Sequence, residues 1–306
     1  MNEPIKGLLA VLAANLLWGL FPLYWRLLDH VPPLEVFAHR TFWSLFIFAG
    51  VLALQGRLGQ LRDVFADRAT RWRIIGAALA ISGNWFFFIY AVQIGKVMEA
   101  SIGYYIFPLM AVTLGFALFR ERLTPLQWLA VAFAACAVVI LTLGLGVTPW
   151  LSLALAAFFA IYGAFKRGVT AGPILSVTAE VAVVGPLSLI WLLGVHFLGW
   201  TDFTGRPGGV FGQDWATSLI LISGGLVTAV PLMMFSYAAR RVSYSTIGVL
   251  QYVNPTIQFV VAVWAFGQVV TQAHMIALPM IWFGLILYTA SSIHKDRKAR
   301  RIAAVH

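Results

Sequence analysis

Charged residues are scarce in this sequence. Asp, Glu, Lys and Arg make up only 10% of its 306 residues, whereas a soluble globular domain carries about 25%. Hydrophobic residues are correspondingly abundant, at 61%. This balance excludes an ordinary soluble domain and indicates a chain that lies largely within a membrane.

Residues for several common chemistries are also missing. The one cysteine, Cys136, lies in an Ala-rich run and has no partner for an intramolecular disulfide, so we interpret it as a small packing residue. The sequence contains no GxxxxGK[ST], HExxH or GxSxG motif and no Cys/His cluster. These absences remove the support for P-loop nucleotide hydrolysis, metal chemistry and serine-hydrolase chemistry. We therefore expect neither catalysis nor a cofactor.

Runs of about twenty apolar residues recur along the whole chain, and that length lets an α-helix cross a hydrocarbon core of about 30 Å. Such segments must be helical because an unpaired backbone group in lipid costs several kcal/mol. No polar cleavage region follows the first run, which predicts a retained helix rather than a signal peptide. The sequence thus predicts an all-α integral membrane protein with ten transmembrane helices. The predicted spans are 7–27, 34–54, 74–94, 99–119, 125–144, 149–166, 174–198, 216–237, 243–266 and 271–293.

The net charge of +10 is unevenly placed around these spans. Seventeen of the 21 Lys and Arg residues fall on the side that carries both termini, whereas Arg26, Lys96 and Arg206 fall on the other. Cytoplasmic loops of membrane proteins carry an excess of Lys and Arg, so both termini are predicted to be cytoplasmic. The basic charge therefore indicates topology and contact with anionic lipids, not nucleic-acid binding.

A repeat joins the two halves of the chain. Residues 104–124 and 251–271 share one register at an offset of 147. A unit of five helices crosses the membrane an odd number of times, so the second copy must enter upside down. We predict inverted five-helix repeats over 1–145 and 146–294, followed by a basic cytoplasmic tail over 295–306. The matched pairs are Tyr105 and Tyr252, Pro108 and Pro255, Phe119 and Phe266, Glu121 and Gln268, and Thr124 and Thr271.

Several stretches between residue 16 and about residue 259 carry a family resemblance: LLWGLFPLYW, EVFAHRTFWS, GNWFFFIYAV, MEASIGYYIFPL, LFRERLTPLQW, YGAFKRG, TAVPLMMFSYAARR and STIGVLQYVNPTIQF. In these the chain resembles a RarD-type member of the EamA branch of the drug/metabolite transporter superfamily. The resemblance implies two EamA repeats, ten helices and a bacterial cytoplasmic (inner) membrane location. One departure is Gln268, where such repeats often have an acid, as the first copy has at Glu121. The resemblance does not specify a substrate.

Four ionisable residues stand out within the predicted spans, namely His39, Arg40, Glu99 and Glu180. An ionisable group at the centre of a membrane helix costs about 2.5–3.5 kcal/mol unless it is compensated. Arg40 and Glu180 occupy similar repeat positions, but inversion separates them by roughly 12 Å of depth at 1.5 Å rise per residue. Glu99 shares the outer depth of Arg40 and is its predicted ion-pair partner, whereas no cation lies within the span of Glu180. We predict that His39, Arg40 and Glu99 form an outer gate or substrate contact and that Glu180 serves the inner half. The alternative is that these residues only fix helix packing or extend to the interface.

Uncharged polar residues in apolar helices are the second group of candidates. Pro108 and Pro255 free a backbone carbonyl and are predicted to kink matching helices at the membrane midplane. Kinked, polar-lined helices at corresponding places point to a transporter binding site. The alternative is that membrane amides and hydroxyls simply join helices. The predicted substrate-binding or gating residues of this group are Asn84, Tyr105, Tyr252 and Asn254.

The pattern favours a secondary transporter of small organic metabolites or drugs that works by alternating access. Its expected partners are a small-molecule solute and membrane lipids, with protons as a candidate coupling ion through Glu180 or His39, and either a monomer or a homodimer fits. Export or import and proton or solute driving force stay open. Three other classes stay open as well: a membrane enzyme that acts on a lipid, a channel, and a membrane sensor.

Overall fold

The computed structural model describes residues 3–120, 123–146, 148–239, 241–242, 246–247 and 250–303. Within these ranges every regular element is an α-helix, and there are eleven. We number them in chain order: α1 Glu3–Arg26, α2 Pro33–Leu54, α3 Gln60–Ala66, α4 Arg68–Gln93, α5 Val97–Phe119, α6 Pro125–Leu145, α7 Trp150–Lys166, α8 Pro173–Leu198, α9 Trp215–Ala239, α10 Val253–Trp264 and α11 Gln272–Ala303.

The predicted all-helical membrane architecture is confirmed at this level. Eight of the eleven helices are long and apolar enough to cross a membrane. The other apolar helices, α7 and α10, are shorter and span about 25 Å and about 18 Å at 1.5 Å per residue. The predicted crossing over 243–266 begins partly outside the described residues, so the count of ten crossings stays a prediction.

Helices from the two halves of the chain interlock. The extensive contacts pair α1 with α9 and α10, α2 with α8 and α9, α4 and α5 with α7, and α6 with α11. Each of these pairs joins a helix that ends before residue 146 to one that begins after it. The offset of 147 relates α1 to α7, α4 to α9 and α5 to α10. Under this relation the packing of α5 on α7 corresponds to that of α10 on α1, and the packing of α4 on α7 corresponds to that of α9 on α1. Neither half therefore has a helix bundle of its own, and the space between the halves is built by both.

Small residues allow the closest of these crossings. A Cβ atom at Gly225 in α9 would lie 2.7 Å from the Trp43 carbonyl carbon and 2.9 Å from the Ser44 backbone nitrogen in α2. Both are backbone atoms that cannot rotate away. Close backbone approach at small residues is a usual basis of helix association in membranes.

We expect Gly225→Val to destabilise the fold by about 1–3 kcal/mol, because overpacking a tight contact has this cost. The measurement is thermal unfolding of the purified protein, followed by the loss of its monodisperse size-exclusion peak. Gly50→Val is the matched control, because a Cβ at Gly50 in α2 meets nothing within 4 Å. Equal melting temperatures for the two variants would contradict the packing described here.

Candidate functional site

A cavity of about 690 Å³ lies between the two halves. At one end it is lined by Lys166, Ala171 and Pro173, at and beyond the end of α7, and at the other by Arg40 and Tyr104. The end of α4 meets the end of α1, since Gln93 bonds the Leu28 carbonyl, and the start of α4 meets the end of α7, since Arg73 bonds the Gly168 carbonyl. The first end therefore lies at the face where α1 begins. The remaining lining residues are Asn15, Trp18, Phe21, Ile81, Asn84, Trp85, Phe88, Phe107, Pro108, Ala111, Phe159, Tyr162, Val177, Glu180, Thr228, Leu232, Phe235, Ser236, Gln251, Tyr252, Asn254, Pro255, Gln258, Tyr288 and Thr289.

The opposite face is closed by the loop over 199–214. The buried carboxylate of Glu35 in α2 accepts the N–H groups of Gly209 and Val210, each at 3.0 Å. Arg206 donates to the Asp29 carbonyl oxygen at 2.6 Å and to the Gln93 side chain at 2.7 Å. These bonds tie the loop to α2, to α4 and to the segment between α1 and α2. Among the described residues, none of this loop lines the cavity, whose lining extends to the face where α1 begins.

At the end of this loop, Asp214 caps the start of α9. Its carboxylate accepts the Thr217 N–H at 2.7 Å, which holds the pKa of Asp214 below its usual value. A carboxylate is favourable at a helix N-terminus because free N–H groups and the helix dipole both point towards it. The loop is thus fixed at its end as well as at its middle.

Arg40 lies at the deep end of the cavity and is only 4% exposed. Its Nε donates to Thr228 Oγ1 at 2.9 Å, and its guanidinium carbon lies 4.1 Å from the centre of the Trp85 ring. The predicted ion pair with Glu99 is wrong. Glu99 lies in the first turn of α5 and pairs with Lys96, with 2.8 Å between Nζ and Oε1. Arg40 lies about two turns into α2.

Glu180 lies on the cavity wall nearer the open face, and it has a cation partner. The Lys166 ammonium in α7 is 2.6 Å from Glu180 Oε1, and Ser176 donates to the same oxygen at 3.0 Å. The Lys166 ammonium also bonds the Ser176 hydroxyl, and the Tyr162 hydroxyl lies beside the carboxylate. From the sequence, Lys166 counts only among the charges that indicate topology, because it lies outside the predicted span of Glu180. No bridge joins Glu180 to Arg40, in agreement with the depth argument.

Two predicted gate residues lie outside the cavity. The His39 ring is stacked on Phe211 of the closing loop, 4.9 Å between centroids, with its Nε2 4.0 Å from Glu35. The Glu99 backbone oxygen accepts the Ser152 hydroxyl at 2.6 Å. His39 and Glu99 thus belong to the closed face. Gln268 joins them there, since its side chain bonds Gly95 and Met98; its repeat equivalent Glu121 lies outside the described residues.

The cavity wall also carries hydrogen-bonded amides. Asn84 donates to the Leu155 carbonyl oxygen at 3.0 Å and accepts from the Tyr104 hydroxyl at 3.1 Å. On the other half, Gln258 donates to Asn254 Oδ1 at 2.9 Å. Tyr252 also lines the cavity. The two halves therefore present similar amide groups to the same space.

Tyr105 and the matched prolines differ from the sequence expectation. Tyr105 is buried outside the cavity, where its hydroxyl lies 2.6 Å from Thr256 Oγ1 and its ring meets Trp282. Pro108 lines the cavity within α5. Pro255 also lines the cavity but lies in the first turn of α10, so it begins a helix instead of kinking a continuous one. Pro fits there because the first helical N–H groups have no acceptor to lose.

Comparison with known proteins identifies the chain's family. Residues 5–143 match the EamA-like transporter family. The protein RarD of Salmonella typhimurium is 32% identical over 294 residues, which cover 96% of this chain and 97% of that protein. An uncharacterised transporter of Pseudomonas aeruginosa is 37% identical over 287 residues, 93% of each chain. The chain is a RarD-type member of the EamA-like transporter family.

Two further matches cover nearly the whole chain. A chloramphenicol-sensitive protein RarD of P. aeruginosa is 29% identical over 97% of each chain. A protein of known crystal structure matches 92% of this chain and 96% of its own length with a TM-score of 0.55 and 19% identity, which shows a shared fold alone. The RarD-type resemblance predicted from the sequence is confirmed, and the protein is a multi-pass membrane transporter.

Several residues that line the cavity were not predicted from the sequence. Lys166, Tyr162, Thr228 and Trp85 line it beside the predicted candidates. A usable signal existed for two of them, because Tyr162 and Lys166 are four residues apart on one helix face and the connection from Lys166 to α8 is short. A short helical hairpin brings the end of one helix close to the start of the next. Thr228 and Trp85 gave no such signal in their apolar helices.

Proposed function

We propose that this protein is a secondary transporter that carries small organic solutes across the bacterial cytoplasmic membrane by alternating access. One observation carries the proposal: a cavity between two interlocked halves reaches one face and is closed at the other. A carrier needs a central site that is open to one side at a time. The described polar cavity side chains are mostly amides and hydroxyls, which suits binding more than catalysis.

The proposed topology has ten crossings, with both termini in the cytoplasm. It is supported by the packing pairs that correspond at the offset of 147 and by the concentration of Lys and Arg on the terminal side. In this arrangement residues 1–145 and 146–294 are inverted repeats, α7 and α10 count as crossings, and residues 295–306 form a basic tail. The open end of the cavity then faces the cytoplasm.

The proposed solute site is the cavity wall. Its volume falls in the range of about 300–1,000 Å³ that is usual for small-molecule sites. We assign solute contact to Arg40, Asn84, Glu180, Tyr252 and Asn254. The other three predicted residues, His39, Glu99 and Tyr105, serve the closed face or helix packing in this proposal.

Counterflow in proteoliposomes tests the carrier. We expect saturable exchange of labelled for unlabelled solute from a pool of amino acids, small aromatics and drugs, measured with and without an imposed pH gradient. Acceleration by the gradient would assign protons as the coupling ion, and no acceleration would assign the solute gradient. A channel conducts without exchange, so flux without counterflow would indicate a channel and not a carrier. No flux for the whole pool in well-reconstituted protein would contradict transport of such solutes.

A further inference from the structure

Arg40 gives the cavity a positive charge that the described residues do not neutralise. Its guanidinium bonds Thr228 through Nε and lies over Trp85 at 4.1 Å and over Trp25 at 5.4 Å. The two terminal nitrogens make no hydrogen bond to the described residues, and the side chain lines the cavity. Trp85, Trp25 and Thr228 therefore orient the guanidinium while its two terminal N–H₂ groups stay available for a ligand.

The acids around the cavity are engaged elsewhere. Glu180 pairs with Lys166, Glu35 accepts two loop N–H groups, and Glu99 pairs with Lys96. Within the part of the chain that the structure describes, no carboxylate reaches Arg40. Because Lys166 and Glu180 cancel, the described cavity wall carries one net positive charge. A buried charge without a partner is costly, so the Arg40 guanidinium would strongly stabilise an anion bound beside it.

The remaining wall is aromatic. Trp18, Phe88, Phe107, Phe159 and Phe235 line the cavity together with the ring of Trp85. Flat aromatic walls bind rings by offset or edge-to-face packing, which adds to the gain from burial. The cavity thus combines one fixed cation with apolar, ring-binding walls.

We propose that the transported solute is an organic anion, a small aromatic carboxylate whose carboxylate binds Arg40 and whose ring packs against the aromatic wall. This inference rests on the carrier function proposed above and specifies its substrate class. The planar guanidinium matches a carboxylate through two parallel N–H···O bonds. The charge of Arg40 would repel an organic cation.

Binding to the purified full-length protein tests the inference without requiring flux. The probes are matched sets on the same ring: benzoate, benzamide and benzylamine, and indole-3-acetate, indole-3-acetamide and tryptamine. The readout is quenching of tryptophan fluorescence, with displacement titrations for the indoles. We expect each carboxylate to bind at least about tenfold more tightly than its amide, since a charge-assisted hydrogen bond contributes about 1.5–3 kcal/mol, and we expect the amines not to bind.

Variants assign the preference to Arg40. Arg40→Gln should abolish the preference for carboxylates, and Arg40→Lys should keep part of it, because Lys retains the charge but loses the planar fork. Arg62→Gln, at an exposed position outside the cavity, should leave it unchanged. If Arg40→Gln does not fold, the wild-type comparison and Arg40→Lys still decide the question.

Carboxylates that bind no better than their amides, or no binding by any carboxylate of the set, would overturn the inference. A different result would contradict the carrier proposal. Carboxylates that bind but never exchange across proteoliposomes would contradict alternating access and leave the anion site standing. Counterflow of neutral or cationic solutes alone would support the carrier function and overturn the proposal that the solute is an organic anion.

Discussion

Glu180→Gln is expected to reduce carrier-mediated flux by about a hundredfold or more while the protein stays folded in the membrane. The unpaired charge that remains is costly to bury, and a hundredfold loss of flux requires only about 2.8 kcal/mol of that cost to add to the transport barrier, at 1.4 kcal/mol per factor of ten. The variant leaves the Lys166 ammonium on the cavity wall beside neutral groups, namely the introduced amide and the Ser176 and Tyr162 hydroxyls. Since Lys166 is 25% exposed, water relieves part of that cost and preserves the fold. The measurement is initial counterflow rate per reconstituted protein.

The double variant Lys166→Met with Glu180→Gln separates a structural role from a transport role. It removes both charges, so we expect it to regain the melting temperature of the wild type but not the flux. Asp63→Asn, an exposed acid in α3, is the matched control and should transport normally. Unchanged flux in Glu180→Gln would remove Glu180 from the mechanism.

Glu35→Ala is expected to lower the free energy of unfolding by about 2–4 kcal/mol and to loosen the closing loop. The change leaves the buried N–H groups of Gly209 and Val210 without their acceptor, and each unsatisfied buried group costs about 1–3 kcal/mol. Thermal unfolding measures the stability. Hydrogen exchange of a peptide over 205–212 measures the loop, and we expect faster exchange there than in the wild type.

Glu3→Ala is the control for burial. Glu3 also has two side-chain partners, Lys6 and Arg241, each at 2.7 Å, but it is exposed. Solvent-exposed ion pairs contribute little to stability, so we expect no measurable change in melting temperature. Equal behaviour of the two variants, or protected amides over 205–212 in Glu35→Ala, would show that the Glu35 carboxylate does not hold the loop.

The helix positions were predictable from the sequence, and some boundaries were predicted closely. The spans predicted over 34–54 and 174–198 are the helices Pro33–Leu54 and Pro173–Leu198, because a Pro opens each one and its apolar run matches the membrane thickness. The short α3 was missed, since it is too short and too polar for a span. The span over 74–94 begins earlier than predicted, at Arg68, where Asp67 caps the helix.

The partners within the site were not predictable in the same way. Hydropathy gives the depth of a residue in the membrane, but it does not give the rotation of a helix about its axis. The sequence predicted a shared depth for Arg40 and Glu99, yet Arg40 bonds Thr228 and Glu99 pairs with Lys96. The repeat register predicted matching elements, whereas the Lys166–Glu180 pair depends on how the hairpin of α7 and α8 folds.

Blocking the cavity tests the central claim most directly. Thr289 is half-buried on the cavity wall, whereas the native Cys136 is exposed on α6 outside the cavity. A charged, membrane-impermeant thiol reagent applied from the cytoplasmic side to Thr289→Cys, in a Cys136→Ala background, should abolish counterflow. The same reagent should leave the wild-type protein active. Full counterflow after complete labelling of the introduced cysteine would show that solutes do not pass through this cavity, and would contradict the account.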